Sequence, residues 1–440
     1  MTTARMLGAS AIVSLGLLSG GAASAATDLQ WWHSMNGKLG EKLEELATRF
    51  NESQGDFRVV PVNKGTYPES MTAAIAAFRA GEQPHLLQVF EVGTGTFMAA
   101  GDAIYPVYEL MDDAEQPFDP SSYLPAVTGY YSDADGNMLS FPFNSSTMIF
   151  YYNKDAFEAA GLDPNTPPKT WSEVADAATR IVESGTKSCG FTTTWPSWAN
   201  IENFSAWHNI PIATEQNGMA GFDTVLEIDN DLVRQHWSNL VEWQKTGAYQ
   251  YGGRTSEAGP KFRTGECAML LESSAGRADI LANAQFEVGI GMMPYYDTVQ
   301  GAPQNSIIGG ASLWVMRGKD DADYDGVAQF LTFLSTPEVQ AEWHQFTGYL
   351  PITEAAYELT RSQGFYDKNP GADTAIKQMT LNEPTDNSKG LRFGNFVQIR
   401  AMFEEELENA LAERKTAAQA LTDAQTRGNE MLREFEAQAN

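Results

Sequence analysis

The sequence predicts an α/β protein with two lobes around a binding cleft, and three observations carry that expectation. Strand-like and helix-like patterns alternate from residue 28 to residue 91. The alternation resumes after a dense aromatic and polar run at 141–153. The chain has 440 residues, 42% hydrophobic and 20% charged, which is long enough for two core-forming domains.

Residues 28–34 read as a strand. A helix follows over about 38–51, where Leu39, Leu43, Leu46, Ala47 and Phe50 recur on one face at helical spacing. Residues 57–63 form the next strand, and a helix over 68–80 is expected to bury Met71, Ile75 and Phe78, with Pro68 tolerated in its first turn. Residues 86–91 make a third strand. This β-α-β-α-β order argues for a parallel sheet with helices on both faces.

Phe141-Pro142-Phe143 reads as an aromatic-proline turn, followed by the polar loop Asn144-Ser145-Ser146-Thr147. The buried strand 148–153 comes next, rich in aromatic and β-branched residues and closed by Asn153-Lys154-Asp155. Short hydroxyls and free N–H groups at the mouth of a buried strand make a donor cluster suited to an anion or a polyol. Thr170 and Glu173 form a capping box for a helix ending near Gly185, and a second helix over 231–245 stops at Gly247. Strands are expected over 267–272, 286–293 and 312–316, with helices from about Arg277 and over 324–334. From Pro351 the chain is mainly helical and ends in a charged segment over 403–436. No internal repeat or low-complexity linker occurs, so the lobes are expected to be joined by short crossovers.

Residues 1–25 read as a secretory signal: Arg5 supplies the positive end, 9–18 is a short apolar run, and Ala23-Ser24-Ala25 is an A-x-A cleavage site. The run is shorter than the roughly 20 apolar residues of a membrane anchor, and no cysteine follows the cleavage motif. The mature chain, starting near Ala26, is therefore expected to be soluble and exported. Its formal charge of −28 argues against nucleic acid as a partner. That charge says little about a buried site, because surface charge is screened over about 8–10 Å. Export permits a disulfide between Cys189 and Cys267, and the sequence leaves open whether they meet. Five dispersed histidines and no C-x-x-C pair give no metal site, and no nucleotide fingerprint, P-loop or nucleophile elbow implies a cofactor or an enzyme.

In open sheets ligands sit at strand C-termini beside helix N-termini. Polar segments stand there at 65–67, 91–96, 144–147, 273–274 and 309–312. Each alone is an ordinary turn or cap. Together they outline a site, and the aromatics Trp31-Trp32 and those from Trp195 through Trp207 suit stacking on a polyol carbon face.

These segments resemble the periplasmic sn-glycerol-3-phosphate-binding family of bacterial ABC importers. The resemblance runs through Trp32-His33-Ser34-Met35, the stretch 87–93, Pro142 to Thr147, 202–207, 308–314, 347–353 and Gln398-Ile399-Arg400. It implies the two-lobed fold of periplasmic solute-binding proteins with a ligand cleft between the lobes. The expected lobes are 26–138 with 295–344, and 139–294 with 345–440. It implies sn-glycerol 3-phosphate or a glycerophosphodiester such as glycerophosphocholine as ligand, and inner-membrane permease subunits as partners. The alternatives are a carbohydrate-binding protein of the same fold and a phosphodiester hydrolase. By resemblance, Tyr67 and Glu91 would hold the glycerol hydroxyls, and Ser146, Ser273, the Gly310 amide, Tyr349 and Arg400 would complete the cage. Arg400 would meet phosphate bidentately, and Trp171 would be an aromatic wall. One departure stands out: Glu272 precedes Ser273 where the family is expected to have a small residue. Strand alternation allows Glu272 to face away. Were both to face the site, a zwitterion such as glycerophosphocholine would gain over a plain phosphate.

Overall fold

The computed structural model describes Met1 and residues 26–439, so the export segment read over 1–25 lies, apart from Met1, outside the described residues. The strands are β1 (Thr27–His33), β2 (Phe57–Asn63), β3 (Leu86–Phe90), β4 (Ile104–Tyr105), β5 (Phe141–Ser146), β6 (Met148–Asn153), β7 (Cys189–Thr193), β8 (Cys267–Ser273), β9 (Val288–Gly291) and β10 (Gly309–Met316). One sheet runs β2-β1-β3-β10-β4, with β5 also on β10, and the other runs β7-β8-β6-β9.

The first two β-α units fold as the periodicity requires. Helix α1 (Gly37–Ser53) buries Leu43, Leu46, Ala47 and Phe50, and α2 (Tyr67–Ala80) starts from a capping box between Thr66 and Glu69. Only a narrow stripe of α2 is covered: Met71 and Ala74 are buried, whereas Ile75 and Phe78 are exposed, against expectation. Parallel pairing holds for β1–β2 and β1–β3. It fails for β10, which runs antiparallel to β3, β4 and β5, and for β6, which runs antiparallel to β8 and β9. Both sheets are therefore mixed.

The run 141–147 is not a turn and loop. β5 is a fully buried strand paired with β10, and Asn144 near its end finds a partner inside: its Oδ1 accepts from Gln88 Nε2 at 2.9 Å. This moves the expected boundary at 138/139, because β5 belongs to the first sheet and the chain crosses at the single residue Thr147. Thr147 Oγ1 donates to the Ile307 carbonyl at 2.9 Å and lies 2.8 Å from Ser306 Oγ, tying the outgoing crossover to the segment that returns to β10. The one-residue outgoing crossover is thus bonded to the longer returning segment, which runs over 292–308 between β9 and β10. Alternate residues of β6 feed two cores: Met148, Phe150 and Tyr152 enter one, and Ile149 and Tyr151 the other.

Cys189 and Cys267 are disulfide-bonded between parallel neighbours β7 and β8, with Cα atoms 4.3 Å apart. The C-terminal helices Phe396–Leu411 and Ala417–Ala439 pack on each other and on the helix Asp231–Thr246. The first of them also reaches the turn after β3. None of the described helices is long and apolar enough to cross a membrane.

Candidate functional site

A cavity of about 230 Å3 lies where the two sheets approach each other. Seven of the eight residues anticipated from sequence line it: Tyr67, Glu91, Ser146, Ser273, Gly310, Tyr349 and Arg400. Five of them come from strand ends and a first helical turn, Tyr349 follows the helix Pro337–Thr347, and Arg400 lies inside the helix Phe396–Leu411. Tyr67 opens α2 and stacks flat on Phe90, with ring centroids 5.0 Å apart. Its hydroxyl accepts from Asn144 Nδ2 at 3.4 Å, and burial drives its pKa well up. Tyr349 is stacked on Trp343, and burial likewise keeps its phenol protonated. Both phenols are therefore neutral donors.

Ser146 and Ser273 end β5 and β8, and Gly310 pairs with Ser145 across the first sheet. Gly310 has φ +91°, and a Cβ there would stand 1.8 Å from the Asn144 carbonyl oxygen. Only glycine permits this approach of backbone to backbone.

Arg400 departs from the expectation. Its Nε donates to Glu202 Oε1 at 2.9 Å, and its Nη2 donates to Glu202 Oε2 and to Glu91 Oε1 at 2.6 Å. The bidentate face foreseen for phosphate is occupied by a carboxylate of this same chain. Burial opposes the charge on Arg400, but Glu202 and Glu91 outweigh it and hold the guanidinium ionised. Burial pushes the Glu91 pKa up while Arg400 pulls it back, and burial raises that of Glu404, one turn along from Arg400, to about 8. Among the described residues Arg400 Nη1 has no partner, which leaves one donor edge for the cavity.

Trp171 is not at the cavity. It is fully buried among Phe191, His236, Trp243 and Tyr296. The reason is legible: Trp171, Val174, Ala178 and Ile181 recur at helical spacing, and that stripe faces the core. Trp195 and Trp198 supply the aromatic wall instead, from the tryptophan-rich run after β7. Gly309 makes room for Trp198, since a Cβ there would lie 2.3 Å from the indole.

Glu272 and Ser273 both line the cavity. Strand alternation breaks at this point, because Ser273 turns out of β8 and the Glu272 carboxylate curls back to accept from the Ser273 amide at 2.8 Å. Burial raises its pKa to about 7. Glu202 stood within a stretch of the resemblance but carried no signal that it would face Arg400. Arg263, which also lines the cavity, had none at all.

A family profile for bacterial extracellular solute-binding proteins matches residues 45–374. The chain is 54% identical, over 97% of its length and 96% of the relative's, to the sn-glycerol-3-phosphate-binding periplasmic protein UgpB of Pectobacterium atrosepticum. Among solved structures it is similar to UgpB from Mycobacterium tuberculosis in complex with glycerophosphocholine, with TM-score 0.77 and 20% identity over 93% of this chain and 99% of that one. It is also similar to the cyclic α-maltosyl-1,6-maltose binding protein of Arthrobacter globiformis, with TM-score 0.71 and 21% identity over 93% of this chain and 100% of that one. The shared feature is the two-lobed fold.

Proposed function

The chain belongs to the bacterial extracellular solute-binding proteins, and from that premise we propose that it is the periplasmic binding component of an ABC importer for sn-glycerol 3-phosphate or glycerophosphodiesters such as glycerophosphocholine. It hands the ligand to inner-membrane permease subunits and does not transform it. The observation that carries this reading is the convergence, in one cavity between two sheets, of a carboxylate–guanidinium pair with a set of neutral hydroxyl and amide donors.

The two groups suit the two halves of the ligand. Glu91 accepts from glycerol hydroxyls and the free Nη1 edge of Arg400 donates to them, a complementary set for a vicinal diol. Ser146, Ser273, Tyr349 and the Gly310 N–H are donors for phosphate oxygens, and Trp195 and Trp198 cover the carbon face. Ligand contacts made from both sheets favour the closed arrangement of the lobes, so part of the affinity comes from closure.

A carbohydrate ligand is the second reading, favoured by the paired tryptophans at the cavity. Arg400 does not argue against it, because Glu91 and Glu202 already account for the charge. Calorimetry on ligand-stripped protein with glycerol 3-phosphate, glycerophosphocholine and maltose separates the readings. Binding of a phosphorylated ligand, recovered chemically unchanged after long incubation, is expected. Binding of maltose alone would replace the first reading with the second, and turnover would make the protein an enzyme.

A further inference from the structure

The cavity's two guanidinium groups are not equivalent. Arg400 is held by two carboxylates. Arg263, at the end of the helix Gly259–Arg263, lines the same cavity, and among the described residues its side chain makes no hydrogen bond and no ion pair. Its tip folds over Gly259: Arg263 Nη1 lies 2.7 Å, and Glu272 Oε2 3.7 Å, from where a Cβ on that glycine would stand. The two groups converge on one small space yet stop short of pairing. Asp279, from the helix Arg277–Asn283, completes this end, with its carboxylate 3.2 Å from where a Cβ on Gly37 of α1 would stand.

An unpaired guanidinium in a partly desolvated cleft is the group an incoming anion meets most favourably. The surrounding charge limits which anion. Arg263 stands with Glu272 and Asp279, and Arg400 with Glu91 and Glu202, so neither end of the cavity carries a net positive charge when its carboxylates are ionised. We infer that Arg263 anchors the ligand's phosphate and that Glu272 beside it sets the charge the cleft accepts, favouring a monoanionic phosphodiester over a dianionic phosphomonoester. The inference rests on the glycerol-phosphate reading of the cleft and names the ligand class within it.

The groups facing Glu272 give this selection its pH dependence. They are Arg263 and Asp279, the Thr194 hydroxyl, the Ser273 amide, Tyr151 of β6 and Tyr349. Both tyrosines are kept neutral chiefly by burial, and the nearby Arg277 bonds Asn369. Burial holds the Glu272 pKa up to about 7, so the carboxyl keeps part of its proton near neutrality. A dianion beside it favours the protonated form, and its affinity falls as pH rises and that proton is lost.

The test is calorimetry of the wild type, Arg263→Ala, Arg263→Lys and Glu272→Gln with glycerol 3-phosphate and with glycerophosphocholine, at about pH 6 and about pH 8. Arg263→Ala is expected to weaken both ligands roughly tenfold or more, with partial recovery in Arg263→Lys. Glu272→Gln is expected to shift the ratio of affinities several-fold toward the monoester at the higher pH and to flatten the monoester's pH dependence. Unchanged dissociation constants in both Arg263 variants would overturn the anchor. An unchanged ratio in Glu272→Gln would overturn the charge selection. A wild type that binds neither phosphorylated ligand would instead overturn the reading beneath both.

Discussion

The two ends of the cleft handle charge in opposite ways. At the Arg400 end, guanidinium and carboxylates satisfy one another: Glu202 takes two donors of Arg400, Glu91 takes one, and Ser197 adds a hydroxyl to Glu202. At the Arg263 end, one guanidinium and two carboxylates share a wall without an ion pair between them. A buried charge with its partners in place belongs to the fold, and removing one partner strands the others. A charge without a partner costs the fold little to lose and is free to meet a ligand. The same residue type at one cavity therefore does two jobs, and only the partners tell them apart.

The largest effect that would break this contrast lies at Arg400. Arg400→Ala leaves Glu91 and Glu202 buried without their cation, and is expected to destabilise the ligand-free protein by about 3–5 kcal/mol, read from urea denaturation. A variant as stable as the wild type would show that the network is not part of the fold.

The next effect is a pH dependence. The Glu272 pKa is raised from an ordinary 4.5 to about 7, so the folded protein holds this proton more tightly than the unfolded chain. That stabilisation is fully present below the unfolded value and is lost as pH rises through the folded one, amounting to roughly 3 kcal/mol. Glu272→Gln should remove this part of the stability–pH profile between about pH 5 and about pH 7, measured as the difference between the two denaturation series. Coincident slopes would place the carboxyl in water.

Glu91→Gln is a smaller step, because Arg400 keeps Glu202. The loss of one charge-assisted bond is expected to cost about 1.5–3 kcal/mol and to reduce discrimination of glycerol-bearing ligands. Intact discrimination together with the same loss of stability would make Glu91 purely structural. The smallest change in stability is expected at Arg263→Ala, about 0.5 kcal/mol or less, since no bond is broken. A loss as large as that at Arg400 would erase the distinction between the two ends.

Much of the architecture follows from local pattern. Helical spacing at Leu39, Leu43, Leu46 and Phe50 and the capping box at Thr170 involve residues a few positions apart, so the chain's own pattern reveals them. The polar strand ends were legible too, because ligand contacts in α/β sheets come from strand termini and first helical turns. Tyr67, Glu91, Ser146, Ser273 and Gly310 reach the cavity for that reason, whereas Tyr349, after the helix Pro337–Thr347, and Arg400, inside the helix Phe396–Leu411, were foreseen only from the family resemblance. By itself, then, the sequence determined the α/β alternation, the helix starts and most of the polar groups that reach the cleft.

The tertiary structure decided what those groups do there. β5 looked like a loop because its polar end finds Gln88 and β10 only in three dimensions. Trp171 went to the core, and Trp195 and Trp198 to the cavity, because an aromatic's face is chosen by what packs against it. Glu202 is 198 positions from Arg400, and no short-range pattern links them. Whether a charge is paired depends on contacts between distant segments, and on that turns which arginine is tied into the fold by carboxylates and which keeps its whole guanidinium unpaired.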